Sequence, residues 1–351
     1  MSARTRDHRP LPPARRAGLA ALMLALLLGA LALAGCGEKS EDVQPGTEPL
    51  DLVLDFYPNP DHAGIYMAKK LGYFRDAGLD VSITAPSDPS SPIKQVATGQ
   101  ADLAVSYQPE VVLAREQGLD VRAVAAIVDR PLTSMIWLKK SGIKGVGDLK
   151  GKTVATAGIP YQAAYLKTIL ARAGLSESEV KSVNVGLGLL PALLGGRAAA
   201  ILGGFRNIEG VDLAVRGKKP VVTPVDRLGV PPYDELVLVA RGKRLESDPD
   251  PIRLFIAALA RGTAAAERRP RLATQAILDA NSALDEKTTA AEMAATLPLL
   301  EPSDPDRPYG YMDPAAWRRF AGWMRDNGLV STLFAPAALL TNAYLPGTIT
   351  G

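Results

Sequence analysis

From Asp51 onward, short apolar runs alternate with longer segments whose apolar residues recur with the period of a helix. One such pair is the strand candidate LDVSIT at residues 79–84, followed by the helical segment PIKQVAT at residues 92–98. Repeated strand and helix in this order is typical of an α/β fold with mostly parallel sheets. The sequence therefore predicts the α/β class.

The alternation comes in two sets. The first ends with VRAVAAIV (121–128), and the second begins after SMIWLKK (134–140) and ends before ELVLVAR (235–241). We expect 134–140 and 235–241 to cross between two lobes as a hinge, with helices from about Pro251 to Gly328; one large sheet is the alternative. The predicted limits are residues 51–138 and 235–330 for the first lobe, 139–234 for the second, and 331–351 for a C-terminal extension.

Two passages share one pattern, QVATGQADLAVSYQ (95–108) and ALLGGRAAAILGGF (192–205). In each, a helix end is followed by glycine, small residues, an apolar strand, and a polar or aromatic residue at the carboxyl end of that strand. Carboxyl ends of strands in open α/β sheets face the ligand crevice. We therefore expect the strand ends at Tyr107 and Phe205 to face one shared cleft.

Residues 1–35 have the layout of a secretory signal, because five arginines from Arg4 to Arg16 precede an apolar run. The run is at the short edge of a membrane-spanning helix, which is the alternative reading. It ends in LAGC, and small residues before a cysteine resemble the lipobox of bacterial lipoproteins. Cys36 is the only cysteine, so no intramolecular disulfide is possible. We expect an extracytoplasmic protein that is lipid-anchored to a bacterial membrane through Cys36.

Removal of residues 1–35 changes the charge of the chain. Five arginines and Asp7 are lost, so 40 basic and 37 acidic side chains become 35 and 36. A basic surface for nucleic acid is therefore not expected. Residues 36–50 are polar and contain proline and glycine, which predicts a flexible tether. Gly37 after the cysteine leaves inner and outer membrane both open.

Several segments resemble the NMT1/THI5-like family of type 2 periplasmic-type binding proteins. They are LDFYPNPDHAGIYMAKKLGYFRDAGLDV (54–81), ATGQADLAVSYQPEVVLAREQG (97–118) and DLKGKTVATAGIPYQ (148–162). LLGGRAAAILGGFRNIEG (193–210) and GVPPYDELVLVA (229–240) resemble its ThiY-like branch of thiamine-precursor receptors. The resemblance implies two α/β lobes joined by two hinge crossovers, the type 2 periplasmic-binding-protein fold, with an ABC permease and an ATPase as partners.

By motif position, the resemblance implies ligand contacts at Asp55, Phe56, Asn59, His62, Tyr107, Gln108, Phe205, Asn207 and Glu209. Tyr161, in the helix-entry segment GIPYQ, is a further candidate at the border of the cleft. Purely structural roles are the alternatives to ligand contact: Phe56 as a core residue, Tyr161 as surface packing, and His62 or Glu209 as helix caps. Asp234 and Glu235 open the return strand, and we expect them to support the hinge.

A flat aminopyrimidine suits such a site, since aromatic side chains stack on the ring while carboxylates and asparagines bond its edge. The resemblance implies a thiamine pyrimidine precursor of the hydroxymethylpyrimidine or formylaminopyrimidine type. Many ThiY-like proteins read GGYWNWE where this chain reads GGFRNIE, so Arg206 and Ile208 replace tryptophans. Riboflavin or another aromatic heterocycle is therefore the alternative ligand.

Catalytic signals are nearly absent from the sequence. Outside residues 1–35, His62 is the only histidine and Cys36 is assigned to lipidation, so no Cys–His pair, zinc spacing or Ser-His-Asp set is present. No GxGxxG or Walker A pattern opens a helix. We expect a binding protein without catalytic residues, metal or cofactor. Eukaryotic THI5-like pyrimidine synthases carry a cysteine-rich run that this chain lacks, which makes synthase activity a remote alternative.

Overall fold

The structure, a computed structural model, describes residues 46–347. The expected signal, Cys36 and most of the expected tether lie outside these residues. The strands of the described part are β1 (Glu48–Val53), β2 (Leu79–Thr84), β3 (Leu103–Ser106), β4 (Val121–Val128), β5 (Thr133–Leu138), β6 (Thr153–Thr156), β7 (Lys181–Asn184), β8 (Ala200–Phe205), β9 (Pro220–Pro224) and β10 (Leu236–Arg241). Because β1 begins at Glu48, the last residues of the expected tether belong to the fold.

Helices lie between and after the strands. They are α1 (Ala63–Lys70), α2 (Tyr73–Asp76), α3 (Pro92–Thr98), α4 (Gln108–Glu116), α5 (Tyr161–Arg172), α6 (Leu189–Leu194), α7 (Glu209–Val215), α8 (Gly242–Ser247), α9 (Asp250–Arg268), α10 (Pro270–Ala280), α11 (Glu286–Leu300), α12 (Pro314–Asp326) and α13 (Pro336–Leu339). Within residues 46–347, no helix combines the length and the apolar character needed to cross a membrane.

Two five-stranded sheets form two lobes. The first sheet has the order β2-β1-β3-β10-β4 and the second the order β7-β6-β8-β5-β9. In each sheet one strand runs antiparallel to its neighbours, β10 in the first and β5 in the second. Each of these two strands is the one by which the chain enters its sheet from the other lobe. The predicted α/β fold with two lobes is confirmed.

The strand β5 corrects one predicted boundary. We expected the first lobe to extend to residue 138, but Thr133 pairs with Phe205 and Leu138 with Pro220, both in the second sheet. The chain therefore crosses between the lobes at residues 129–132. The apolar run SMIWLKK fixes a buried strand, and all six residues of β5 are buried, but the run carries no information on its pairing partners.

The end of the chain packs on the first lobe. Leu340 forms a parallel bridge with Ala123 of β4, and the N–H of Thr341 donates to the carbonyl of Ala123 at 2.9 Å. Leu339 and Leu345 are buried. The segment that we expected to be a C-terminal extension is therefore, as far as residue 347, part of the first lobe.

A close crossing of α1 and α9 fixes the chain that leads out of β1. A Cβ atom on Gly262 would lie 2.1 Å from the carbonyl oxygen of Gly64, so only glycine allows this approach. Because α1 follows directly on the loop from Asp55 to His62, the crossing also holds that loop against the first lobe.

One buried carboxylate joins the outgoing crossover (residues 129–132) to the return crossover, the segment that ends at Glu235 just before β10, as expected for hinge support. Glu235, at the start of the return strand, accepts hydrogen bonds from the N–H groups of Leu132 and Thr133 (2.7 Å each) and from the hydroxyl of Thr133 (2.8 Å). The hydroxyl of Tyr233 donates to it as well, at 2.9 Å. Burial raises the pKa of Glu235, and these four donors act in the opposite direction.

Glu235→Ala should lower the free energy of unfolding by about 3–5 kcal/mol, because it leaves two backbone N–H groups buried without acceptors. Glu235→Gln, which keeps one acceptor oxygen, should lie between this variant and the wild type. Urea denaturation followed by circular dichroism measures the difference. Glu246→Ala is the control, since that side chain is 75% exposed and lies 4.0 Å from Arg122. Equal stability of Glu235→Ala and the control would contradict the assigned role.

Candidate functional site

A cavity lies between the lobes, where the segments that follow β1, β3, β6 and β8 meet. It has about 470 Å³ of space between atoms, including the part open to solvent. Seven of the ten predicted site residues line it: Asp55, Phe56, Asn59, Tyr107, Tyr161, Phe205 and Glu209. The expectation that Tyr107 and Phe205 face a shared cleft is therefore confirmed.

Asp55 is the centre of a buried hydrogen-bond network on the first lobe. Its Oδ2 accepts from the hydroxyl of Tyr107 and its Oδ1 bonds Nε2 of His62, both at 2.8 Å. Nδ1 of His62 accepts the N–H of Asn59 at 3.2 Å, which places the ring proton on Nε2, facing Asp55. His62 is fully buried and does not line the cavity. It positions Asp55, while Asp55 and Tyr107 form the wall.

Asn59 shapes the loop between β1 and α1. Its Oδ1 accepts the N–H of Asp61 at 2.9 Å, and its Nδ2 donates to the carbonyl of Tyr57 at 3.1 Å, so the side chain caps the short 3₁₀ turn Pro60–His62. His62 completes the capping box. His62 therefore has two roles: it caps this turn, as one of the predicted alternatives stated, and it forms a hydrogen bond with Asp55.

Glu209 forms the wall on the second lobe. It is the first residue of α7, and its Oε2 accepts the N–H of Phe205 at 2.7 Å, which ties the turn after β8 to the helix. Burial raises the pKa of Glu209 to about 7, although backbone N–H groups act to lower it. This carboxyl group, with its raised pKa, lines the cavity together with Phe205.

Gln162 is a site residue that the sequence did not reveal. It is 2% exposed, and its Oε1 accepts the N–H of Ala157 at 2.9 Å. Its Nε2 lies where a side chain at Gly203 would be, since a Cβ there would come within 2.4 Å. Gly203 has φ 111°, which also favours glycine. Nε2 is thus a hydrogen-bond donor at the cavity wall. The only signal for Gln162 in the sequence was that it directly follows Tyr161.

Two predicted residues use their amides elsewhere and do not line the cavity. Gln108 accepts the N–H of Asp234 at 2.8 Å and so binds α4 to the return crossover. Asn207, in the second lobe, donates from Nδ2 to Asp61 Oδ1 (2.7 Å) and Thr296 Oγ1 (2.8 Å), both in the first lobe. These bonds join the lobes beside the cavity.

Of the two residues that replace family tryptophans, Ile208 lines the cavity and Arg206 does not. The backbone N–H of Arg206 donates to the carbonyl of Leu132 at 3.0 Å, in the outgoing crossover. Ile208 is 4% exposed. Of these two replacements, Ile208 therefore changes the shape of the cavity wall, and Arg206 does not.

A row of aromatic rings leads from the cavity to the hinge and to helix α12. Tyr107 and Tyr161 are 6.0 Å apart between ring centroids, Tyr161 and Tyr165 5.0 Å, and Tyr165 and Tyr233 5.6 Å. Trp323 of α12 lies 5.8 Å from Tyr165. Tyr161 is 1% exposed, so it is a cavity residue and not surface packing.

The site can hold a flat polar molecule. Phe56 and Phe205 contribute aromatic rings from opposite lobes, Glu209 offers an acceptor, and Gln162 offers a donor. Asp55 has both oxygens engaged, so it acts mainly on Tyr107. Among residues 46–347, no group of three or more His, Cys, Asp or Glu side chains could hold a metal ion.

Comparison with known proteins agrees with this architecture. The model of the family described as NMT1/THI5 like matches residues 59–273. The formylaminopyrimidine-binding protein of Halalkalibacterium halodurans is 34% identical over 307 residues, covering 86% of this chain and 92% of that protein. The 4-amino-5-hydroxymethyl-2-methylpyrimidine phosphate synthase of Legionella pneumophila is 25% identical over 303 residues, covering 85% and 92%.

Among solved structures, the periplasmic aliphatic sulphonate binding protein SsuA from Escherichia coli superposes with a TM-score of 0.63. The two chains are 17% identical, and the match covers 88% of this chain and 95% of that one. At this identity the likeness concerns the fold alone, which is that of the periplasmic binding proteins.

Tyr107→Phe should lower the free energy of unfolding by about 1–3 kcal/mol, because it leaves one oxygen of buried Asp55 without a donor. Tyr66→Phe is the matched control, since burial alone raises the pKa of Tyr66 and its hydroxyl makes no hydrogen bond with residues 46–347. The control should stay within about 0.5 kcal/mol of the wild type. Urea denaturation compares the two, and equal values for both variants would rule out the network.

Proposed function

Since the chain belongs to the NMT1/THI5-like family, we propose that it is the extracytoplasmic solute-binding protein of an ABC importer. Its ligand is a thiamine pyrimidine precursor of the formylaminopyrimidine or hydroxymethylpyrimidine type, which it binds without chemical change. The observation that carries the proposal is the cavity between the lobes, where aromatic rings from both lobes surround a few fixed polar groups.

The ligand fits the residues at the cavity wall. An aminopyrimidine ring can lie against Phe56 and Phe205, each aromatic pair contributing about 0.5–1.5 kcal/mol beyond the burial of area. Its amino group can donate to Glu209, and Nε2 of Gln162 can donate to a ring nitrogen. The relative named for formylaminopyrimidine binding supports this choice. The relative named as a synthase is less similar to this chain.

Delivery to an importer requires a receptor that is held outside the cytoplasm and changes shape on binding. The basic and apolar N-terminal segment followed by Cys36 supports export and lipid attachment there. Two crossovers that are held together by Glu235 allow the lobes to rotate as units. Ligand then shifts the population toward the closed form, which an ABC permease and its ATPase engage.

Titration of the purified protein in a calorimeter with formylaminopyrimidine, hydroxymethylpyrimidine, thiamine and riboflavin tests the proposal. One of the two pyrimidines should bind most tightly. Glu209→Gln should weaken that binding about 10- to 100-fold, because a charge-assisted hydrogen bond is lost. Glu177→Gln, an exposed position in the same lobe, should leave it unchanged. Absence of heat from both pyrimidines would refute the proposed ligand class.

The affinity should also depend on pH. Burial raises the pKa of Glu209 to about 7, and only the ionised carboxylate accepts strongly from the amino group. The association constant should therefore rise about tenfold between about pH 6 and about pH 9 and level off above pH 8. In Glu209→Gln this rise should be absent. An equal rise in both proteins would assign the titration to another group.

A further inference from the structure

A second space opens directly beyond Glu209, which lines both it and the cavity already described. We call it the acidic chamber. It has about 1010 Å³ of space between atoms, including the part open to solvent. The first lobe contributes Tyr57 and the beginning of α11, and the second lobe contributes α6 and α7. Its walls therefore come from both lobes, like those of the ligand cavity.

Four carboxylates line the acidic chamber, and three of them have partners. Glu209 accepts the N–H of Phe205. Asp212 is paired with Arg216, with 3.1 Å between Oδ2 and Nη2. Asp285 caps α11 by accepting the N–H of Thr288 at 2.9 Å. These three groups are accounted for by the fold.

Glu292 is the fourth, and it has no such partner. It is 5% exposed, lines the chamber from α11, and makes no hydrogen bond or ion pair with the other described residues. Burial, followed by the charges of Glu209, Asp212 and Asp61, raises the pKa of Glu292 to about 8, while Arg216 acts to lower it. Because this side chain is largely buried and no described group pairs with it, its carboxyl group is available to a ligand group that enters the chamber.

The other residues that line the acidic chamber indicate what kind of ligand group it suits. Leu187, Leu190 and Leu194 give the chamber an apolar side. Tyr57 presents a ring 4.4 Å from that of Phe56, between centroids, so consecutive aromatic residues serve the two spaces. Carboxylates, an aromatic ring and aliphatic side chains together suit an organic cation better than a hydrated metal ion.

We propose that the acidic chamber binds a cationic substituent, such as a primary ammonium group, on a heterocycle whose ring occupies the ligand cavity. This rests on the proposed function, because the ring must first lie beside Glu209. Glu292 then receives the ammonium group as its ion-pair partner and acts as a specificity residue for charged ring substituents. Arg216, whose side chain is 53% exposed and is held by Asp212, leaves Glu292 free for the ligand.

Two probes that differ in one group test the chamber: 4-amino-5-hydroxymethyl-2-methylpyrimidine and its 5-aminomethyl analogue, which carries an ammonium group. Calorimetry gives the dissociation constant of each for the wild type and for Glu292→Gln. The variant should lose about tenfold or more in affinity for the aminomethyl compound and stay within about twofold for the hydroxymethyl compound. Glu286→Gln, exposed on the same helix, should change neither.

A second variant tests the chamber independently, in case Glu292→Gln does not fold. Leu190→Lys places a tethered ammonium group in the chamber and should weaken binding of the aminomethyl compound selectively. If the wild type binds neither compound, the proposed function fails, and the chamber proposal with it. If the hydroxymethyl compound binds and Glu292→Gln leaves the ratio of the two dissociation constants unchanged, the chamber proposal alone is overturned.

Discussion

The geometry of the molecule depends on one buried carboxylate. Glu235 collects four hydrogen bonds from the two segments that connect the lobes. Thr133, one of the residues it holds, also lines the ligand cavity. The joint between the lobes and the wall of the site are therefore the same piece of chain, so a rotation at the joint changes the width of the cavity directly.

The fold class could be read from the sequence because strand and helix periods are local properties of the chain. VRAVAAIV and PIKQVAT coincide with β4 and α3 as the structure has them. The sheet to which β5 belongs could not be read in this way. Strand pairing is set by contacts distant in sequence, and a continuous apolar run fits a central position in either sheet.

The site was predictable to the extent that strand ends converge. Tyr107 and Phe205 follow from that rule, whereas Asp55, Phe56 and Asn59 were implied by the family resemblance. Gln108 and Asn207 lie equally close to strand ends, but their amides found partners on the return crossover and across the lobes. The direction of a side chain depends on its hydrogen-bond partners, and these are not visible in the sequence. For the same reason Gln162 was missed beside Tyr161.

A buried Asp, His and Tyr in contact resemble the parts of a catalytic group, yet here they hold a wall in place. Both oxygens of Asp55 and both nitrogens of His62 are occupied by protein partners. What is left for a ligand is a set of ring faces, the carboxyl of Glu209 and the amide of Gln162. Such a set suits recognition of a molecule by stacking and hydrogen bonding.

The row of aromatic rings brings tryptophan side chains next to the hinge, where their fluorescence can be recorded. Of the three tryptophans in the chain, Trp323 touches Tyr165 in the second lobe, and the indole N–H of Trp317 donates to Asp234 on the return crossover at 2.6 Å. Indole emission responds to the polarity and hydrogen bonding around the ring. The protein thus carries indole fluorophores beside the joint, so a change in the contacts at the joint should change the emission spectrum without any attached dye.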